Sequence, residues 1–303
     1  MAQVVLHEVG LRDGLQMEKQ VVPTDVKEAW LRRLLASGVD IVQVGSFVHP
    51  DKVPQMADTD ELFRRLAGNR PAGGVLSGLV LNEKGLDRGM ACGVELFCMG
   101  ASASETHSRK NTGMTSAEAT RRIVAMAKSA VAAGKPVQLS VQSAFGCGFE
   151  GPVAEDRVLE IVRTYLEAGL RNISLADTAG HAHPAQVERL FGAVRALDPA
   201  VECTCHIHNT YGLGMANVFA AMQAGVRSVE TSVGGLGGCP FTKVAAGNVA
   251  TEDLVHALQR QGDRLEVDLD ALIGVARDVA THFGRELTGF VYKTGPIAAR
   301  GRS

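Results

Sequence analysis

The sequence predicts an α/β protein: a (β/α)8 TIM barrel with an additional C-terminal helix. Three observations carry this. Short apolar runs alternate with amphipathic helical patterns, and eight such pairs are the number that closes a barrel. The connections are short, and no Pro/Gly/Ser-rich linker divides the chain, so residues 1–303 read as one catalytic barrel with a frayed tail from about 295 to 303. Polar residues collect just after the strands, on the rim where such barrels carry their chemistry. A doubly wound open sheet is the alternative, but it prefers a Gly-rich dinucleotide-binding first turn, which this chain lacks.

Taken in order, Val4 to Val9 is a short apolar strand followed by a loop in which Gly10 and Gly14 bracket Arg12 and Asp13. Thr24 to Ala36 reads as a helix with Thr24 as N-cap and Gly38 just past its end. Val39 to Ser46 is the second strand. Its alternation puts Gln43 and Gly45 on the inward face. The helix Asp58 to Leu66 follows, then the strand Val75 to Leu81, the helix Glu83 to Ala91, the strand Val94 to Met99, and a long polar loop from Ser102 to Thr112. Thr115 to Ala133 is a helix opened by the capping box Thr115-x-x-Glu118. Val137 to Gln142 is the fifth strand, with the helix Val153 to Ala168; Asn172 to Ala176 is the sixth, with Asp177 after it and the helix Pro184 to Leu197.

The seventh strand, Val201 to His208, is the most informative stretch. Alternation places His206 and His208 side by side, where two imidazoles at i and i+2 can reach one divalent cation. It sends Cys203 and Cys205 to the opposite face, where they read as packing. The bland reading of the histidines, as polar residues satisfied by backbone at a strand end, stays open on these residues alone. Met215 to Ala224 is the next helix and Val226 to Ser232 the eighth strand. After the glycine-rich loop Gly234 to Pro240 come the helix Thr251 to Gln261 and the additional helix Leu269 to Phe283.

Composition bounds the function. With 46% hydrophobic and 21% charged residues, the 303-residue chain can bury a large core and reads as a soluble globular protein. A formal net charge of -2 without Lys/Arg runs leaves no footprint for nucleic acid or an anionic membrane, so the expected partner is a small molecule. No apolar run spans a bilayer, the N-terminus runs straight into a strand pattern, and six scattered cysteines form no disulfide framework, so the expected compartment is the cytoplasm.

Several motifs then resemble one family. They are Glu8-Val9-Gly10-Leu11-Arg12-Asp13-Gly14-Leu15-Gln16, Ser46-Phe47-Val48, Ser174-Leu175-Ala176-Asp177-Thr178, His206-Ile207-His208-Asn209, and Gly237-Gly238-Cys239-Pro240 with Gly247-Asn248. Over nearly its whole length the chain is similar to the hydroxymethylglutaryl-CoA lyases, within the wider group of metal-dependent barrel lyases and Claisen-type synthases. The resemblance implies a divalent metal, Mg²⁺ or Mn²⁺, on Asp13, His206, His208 and Asn248. A mixed N/O set with open positions agrees with a hard octahedral cation better than with a closed zinc site.

It further implies an acyl-CoA substrate, a homodimer, and cleavage of a 3-hydroxy-3-methylglutaryl-CoA-type thioester to acetyl-CoA and a 3-oxo acid such as acetoacetate. Arg12 would stabilise the enolate oxygen, Cys239 would supply or relay a proton, and either Asp177 or Asp13 with His206 would serve as base. Gln16, Gln43 and Ser46 would bind substrate. Two departures stand out: Gln43 and Asn209 occupy positions where these lyases usually carry carboxylates, and both removals of negative charge are expected at the metal rim. The competing readings are a lyase for a different 3-hydroxyacyl-CoA, a synthase condensing acetyl-CoA with a 2-oxo acid, and a barrel that binds acyl-CoA without turning it over.

Overall fold

The structure, a computed structural model, describes residues 3–238 and 247–297. Eight parallel strands close on themselves in chain order: β1 (Val5–Glu8), β2 (Ile41–Ser46), β3 (Val75–Leu79), β4 (Leu96–Ser102), β5 (Val137–Gln142), β6 (Asn172–Asp177), β7 (Glu202–Ile207) and β8 (Ser228–Thr231). The barrel closes where β1 pairs with β8, in register from Val5 against Ser228 to Glu8 against Thr231. Around it lie α1 (Thr24–Ala36), α2 (Thr59–Leu66), α3 (Glu83–Cys92), α4 (Glu105–Thr112), α5 (Ser116–Ala132), α6 (Glu155–Glu167), α7 (Pro184–Leu197), α8 (Gly214–Gln223) and α9 (Thr251–Arg260). The expected C-terminal helix is α10 (Leu269–Phe283), capped by the Asp268 side chain, and a short α11 (Val291–Thr294) follows it.

Parallel strands between a packed interior and a ring of helices bury both faces. Leu139, Ile173, Cys205 and Val229 lie on the helix side and are fully buried. Cys203 and Cys205 belong to this packing, as alternation requires, and burial pushes the Cys203 thiol up to about 11. The five cysteines among the described residues are free. Among the described residues, no helix is long and apolar enough to cross a membrane.

The structure corrects three local expectations. The segment from Ser102 to Thr112 is not all loop: Ser104 accepts from the backbone N–H of His107 and opens α4, which Gly113 closes at φ +75°. The polar run Glu105 to Thr112 lacks an apolar period, so its helix is set by its caps rather than by an amphipathic pattern. Thr24 does not cap α1. Pro23 precedes the helix, and the Thr24 hydroxyl donates instead to Asp58 Oδ2 at 2.9 Å. In β2 the register against β3 shifts between Gln43 and Gly45. That irregularity turns Gly45 outward, where an added Cβ would sit 2.3 Å from Thr59 Oγ1 on α2, so Gly45 does not share Gln43's inward face.

Candidate active site

The loop after β1 is a single π-type turn, Gly10–Gly14, in which the N–H groups of Arg12, Asp13 and Gly14 all donate to the carbonyl of Val9. It folds Arg12 and Asp13 back over the barrel mouth. Across the closure, Asn248 forms a bridge with His208 at the end of β7, and Ala250 one with Ser232 at the end of β8. The chain from Asn248 to Ala250 therefore lies between the ends of β7 and β8. Gly237, at φ +116°, passes so near that a Cβ would lie 2.8 Å from Asn248 Nδ2, which only glycine permits.

These placements bring four expected residues together. Asp13 Oδ2 lies 3.5 Å from His208 Nε2 and 3.8 Å from His206 Nε2, and accepts from Asn248 Nδ2 at 2.8 Å. The ligand atoms of Asp13, His206 and His208 all fall within 4.8 Å of one another, and the three residues are buried. The two Nε2 atoms face each other at 3.0 Å. His206 Nδ1 is engaged by Glu230 Oε2 at 2.7 Å, and Nε2 is the nitrogen that faces Asp13 and His208. Asn248 spends its N–H groups on Asp13 and the Leu236 carbonyl, and its buried Oδ1 has no hydrogen-bond partner among the described residues. A carboxylate oxygen and two imidazole nitrogens converging on one point, with the Asn248 amide against the same carboxylate, fit a divalent cation.

Charge agrees with this arrangement. Burial by itself would raise the Asp13 carboxyl, but Arg12, His208 and His206 hold it well below the usual carboxylate range. Burial opposes ionisation of Glu230 too, yet His206, His7 and Arg12 keep it below its ordinary value. Arg12 Nη1 donates to Asp13 Oδ1 at 2.5 Å, and its Nε donates to Gln43 Oε1. Arg12, Asp13, Gln16, Gln43, His206, His208, Glu230 and Gly238 line a cavity of about 640 Å³, with Lys52 and Lys110 also in its wall. This size suits a small-molecule site.

Other expected residues lie elsewhere. Asp177 is fully buried and outside the cavity wall, its two oxygens accepting from the backbone N–H groups of His181 and Ala182. Ser46 is buried, its hydroxyl has no partner among the described residues, and it is absent from the wall as well. Asn209 Oδ1 accepts from Gly214 N at 2.8 Å, at the start of α8, so its departure from a carboxylate alters a helix entry rather than the rim. Cys239 lies outside the described residues; Gly238, to which it is bonded, lines the cavity. Glu230 is missed by sequence reading. Within Ser228-Val229-Glu230-Thr231 it resembles an ordinary polar strand position, and the one available signal is its inward parity on the eighth strand.

Fold and site together define a (β/α)8 barrel with a metal-binding type of His/Asp cluster at the C-terminal mouth of its strands. Over residues 3–279 the chain matches the HMGL-like family, and it belongs to that family as a carbon–carbon lyase. It is 40% identical over 282 residues to the mitochondrial hydroxymethylglutaryl-CoA lyase of Arabidopsis thaliana, a match covering 93% of this chain and 60% of that one. It is 37% identical over 305 residues to the (R)-citramalyl-CoA lyase of Chloroflexus aurantiacus, covering 98% and 96% respectively. Among solved structures, an HMG-CoA lyase from Acinetobacter baumannii in complex with coenzyme A and 3-methylmalate superimposes with a TM-score of 0.91 at 37% identity, covering 99% of this chain and 97% of that one.

Proposed function

We propose that this lyase cleaves the C2–C3 bond of a 3-hydroxyacyl-CoA of the 3-hydroxy-3-methylglutaryl-CoA type, giving acetyl-CoA and a 3-oxo acid, acetoacetate for the parent substrate. The observation that carries this is the convergence of Asp13, His206, His208 and Asn248 beside Arg12 at the mouth of one cavity. Asp13, His206, His208 and Asn248 would hold Mg²⁺ or Mn²⁺, which supplies Lewis-acid polarisation of oxygens in the site.

The chain's own groups account for the remaining steps. A base removes the proton of the C3 hydroxyl, the C3 carbonyl forms, and the C2–C3 bonding pair moves into the thioester as an enolate. Of the two expected bases, Asp13 with His206 lines the cavity, whereas Asp177 lies outside its wall with both oxygens committed to backbone N–H groups. The Arg12 guanidinium, braced by Asp13 and Gln43, faces the cavity and stabilises the enolate oxygen. A proton delivered to C2 completes acetyl-CoA, and Cys239, next to Gly238 in the cavity wall, is the group assigned to that delivery. Lys52 and Lys110 supply positive charge for coenzyme A phosphates, and the coenzyme A bound in the Acinetobacter relative supports an acyl-CoA ligand.

A second reading is favoured by Gln43 and by the citramalyl-CoA lyase relative: the same cleavage on a thioester whose C3 carries a different acid group. One assay separates the two. The protein with Mg²⁺ is given hydroxymethylglutaryl-CoA or citramalyl-CoA, and acetoacetate or pyruvate is measured beside acetyl-CoA. Acetoacetate at the higher kcat/KM supports the first reading, pyruvate at the higher value supports the second, and neither product above background overturns both.

A further inference from the structure

His206 is backed by more than one residue. Strand register aligns His206 on β7 with Glu230 on β8, and Glu230 with His7 on β1, so three consecutive strands present these side chains inward on one rung. Glu230 sits between two imidazoles. Its Oε2 meets His206 Nδ1 at 2.7 Å, and its Oε1 faces His7 Nδ1 at 3.6 Å. The far nitrogen of His7, Nε2, is 2.8 Å from Ser77 Oγ on β3. His7 and Ser77 are fully buried, and His7 Nδ1 has no hydrogen-bond partner of its own among the described residues. A polar edge this deep, with a carboxylate oxygen in front of it, calls for an explanation that packing does not supply.

We propose that His7 is a positioning residue for the metal-holding cluster, steering the Glu230 carboxylate so that His206 keeps its Nδ1–H on Glu230 and turns Nε2 toward Asp13. The inference rests on the reading of Asp13, His206 and His208 as metal ligands. Its logic is one of tautomers. The Ser77 hydroxyl donates to His7 Nε2, which puts the ring proton on Nδ1 and aims an N–H dipole at Glu230 Oε1. Burial lowers the His7 pKa to about 4, so the ring is neutral and carries one proton to place. At 3.6 Å this contact is charge against dipole rather than a formed hydrogen bond, and a closure of about half an ångström makes it one. With one oxygen directed at His7, the carboxylate plane is set and the other oxygen is held on His206. Groups that orient a metal-ligating histidine govern metal affinity by about 10- to 100-fold, and a residue one step further out acts at the lower end of that range.

The test is metal binding without turnover. Metal-free full-length protein is titrated with Mn²⁺, with free ion followed by electron paramagnetic resonance, and the visible absorption of the Co²⁺ form is recorded. His7→Leu is expected to weaken Mn²⁺ binding about tenfold and to shift the Co²⁺ bands, because the ring orientation of a ligand has changed. His7→Gln restores a donor toward Glu230 and is expected to stay within about threefold of the original protein, with its Co²⁺ bands preserved. A merely structural role for His7 predicts neither the spectral shift nor the rescue. Ser77→Ala removes the anchor alone and is expected to move both readouts in the same direction by a smaller factor, which keeps the test open if His7→Leu fails to fold. Unchanged Mn²⁺ affinity and Co²⁺ spectrum in His7→Leu, or in Ser77→Ala alone, overturns the inference while leaving the site intact. Unchanged binding in His206→Ala overturns the metal reading itself, and the inference with it.

Discussion

Gln43 sets an amide oxygen against the Nε of Arg12 while Asp13 takes Nη1, so the guanidinium is held from two sides. An amide can orient Arg12 but cannot exchange a proton at neutral pH, whereas a carboxylate at the same place does both. The thiol of Cys98 lies beside Gln43 and Ser77, and burial together with the Glu230 charge raises it to about 12, so the thiol stays neutral and does not itself supply the missing charge. Gln43→Glu is therefore expected to raise kcat/KM on hydroxymethylglutaryl-CoA by about tenfold, equivalent to about 1.4 kcal/mol of barrier. Gln43→Ala, which leaves Arg12 unbraced on one side, is expected to lower it. If Gln43 instead recognises a different acyl group, Gln43→Glu lowers kcat/KM on that substrate. Steady-state kinetics of both variants on both thioesters decide the matter, and equal values for all three proteins would leave Gln43 without a role.

The elements around the barrel closure depend on two carboxylates buried between them. Glu8, at the end of β1, accepts from Gly10 N at 2.6 Å, Val233 N at 3.1 Å and the Thr251 hydroxyl, and Glu252 in the first turn of α9 accepts from Gly234 N at 2.9 Å. Together they tie the turn after β8 to β1 and α9. Burial pushes Glu8 up to about 7 and Glu252 up to about 8 against the pull of these hydrogen bonds, and Asp253 and Glu8 add to the rise at Glu252. Both groups start from 4.5, so between that value and about 7 to 8 the folded chain holds protons the unfolded chain has released. Their contribution to stability is then complete below about 4.5 and is lost as pH rises through about 7 to 8. The melting temperature is expected to fall between pH 6 and 8.5, and more gently in Glu252→Gln; parallel slopes would remove Glu252 as a cause. Such features mark what is legible in a sequence. Alternation finds the histidine strand and the cysteines behind it, because a buried strand has one period. Glu230 and the outward turn of Gly45 escape, since barrel register and a local irregularity decide which way a residue faces. The helix at Glu105–Thr112 escapes because its caps, rather than an apolar stripe, define it.

In the whole molecule the cluster lies across the place where the barrel closes. Asp13 comes from the turn after β1, His206 and His208 from β7 and its end, and Asn248 from the segment that bridges His208. Of the strands that meet there, β1 and β8 have only four residues each, the shortest pairing partners in the sheet. A cation held by these side chains connects distant parts of the chain in the folded state and has no such site in the unfolded one, so its binding energy adds to stability. At a free concentration about 100 times Kd the gain is about 2.7 kcal/mol, and for a barrel of this size that corresponds to a rise of about 5 °C in melting temperature. Thermal melts in excess chelator and in saturating Mn²⁺ are expected to differ by about that amount. His208→Ala is expected to show little or no metal-dependent shift, since it removes one of the three His/Asp ligands and leaves the site incomplete. A shift of equal size in His208→Ala would place the cation elsewhere on the molecule, and no shift in the unsubstituted protein would separate the cluster from metal binding altogether.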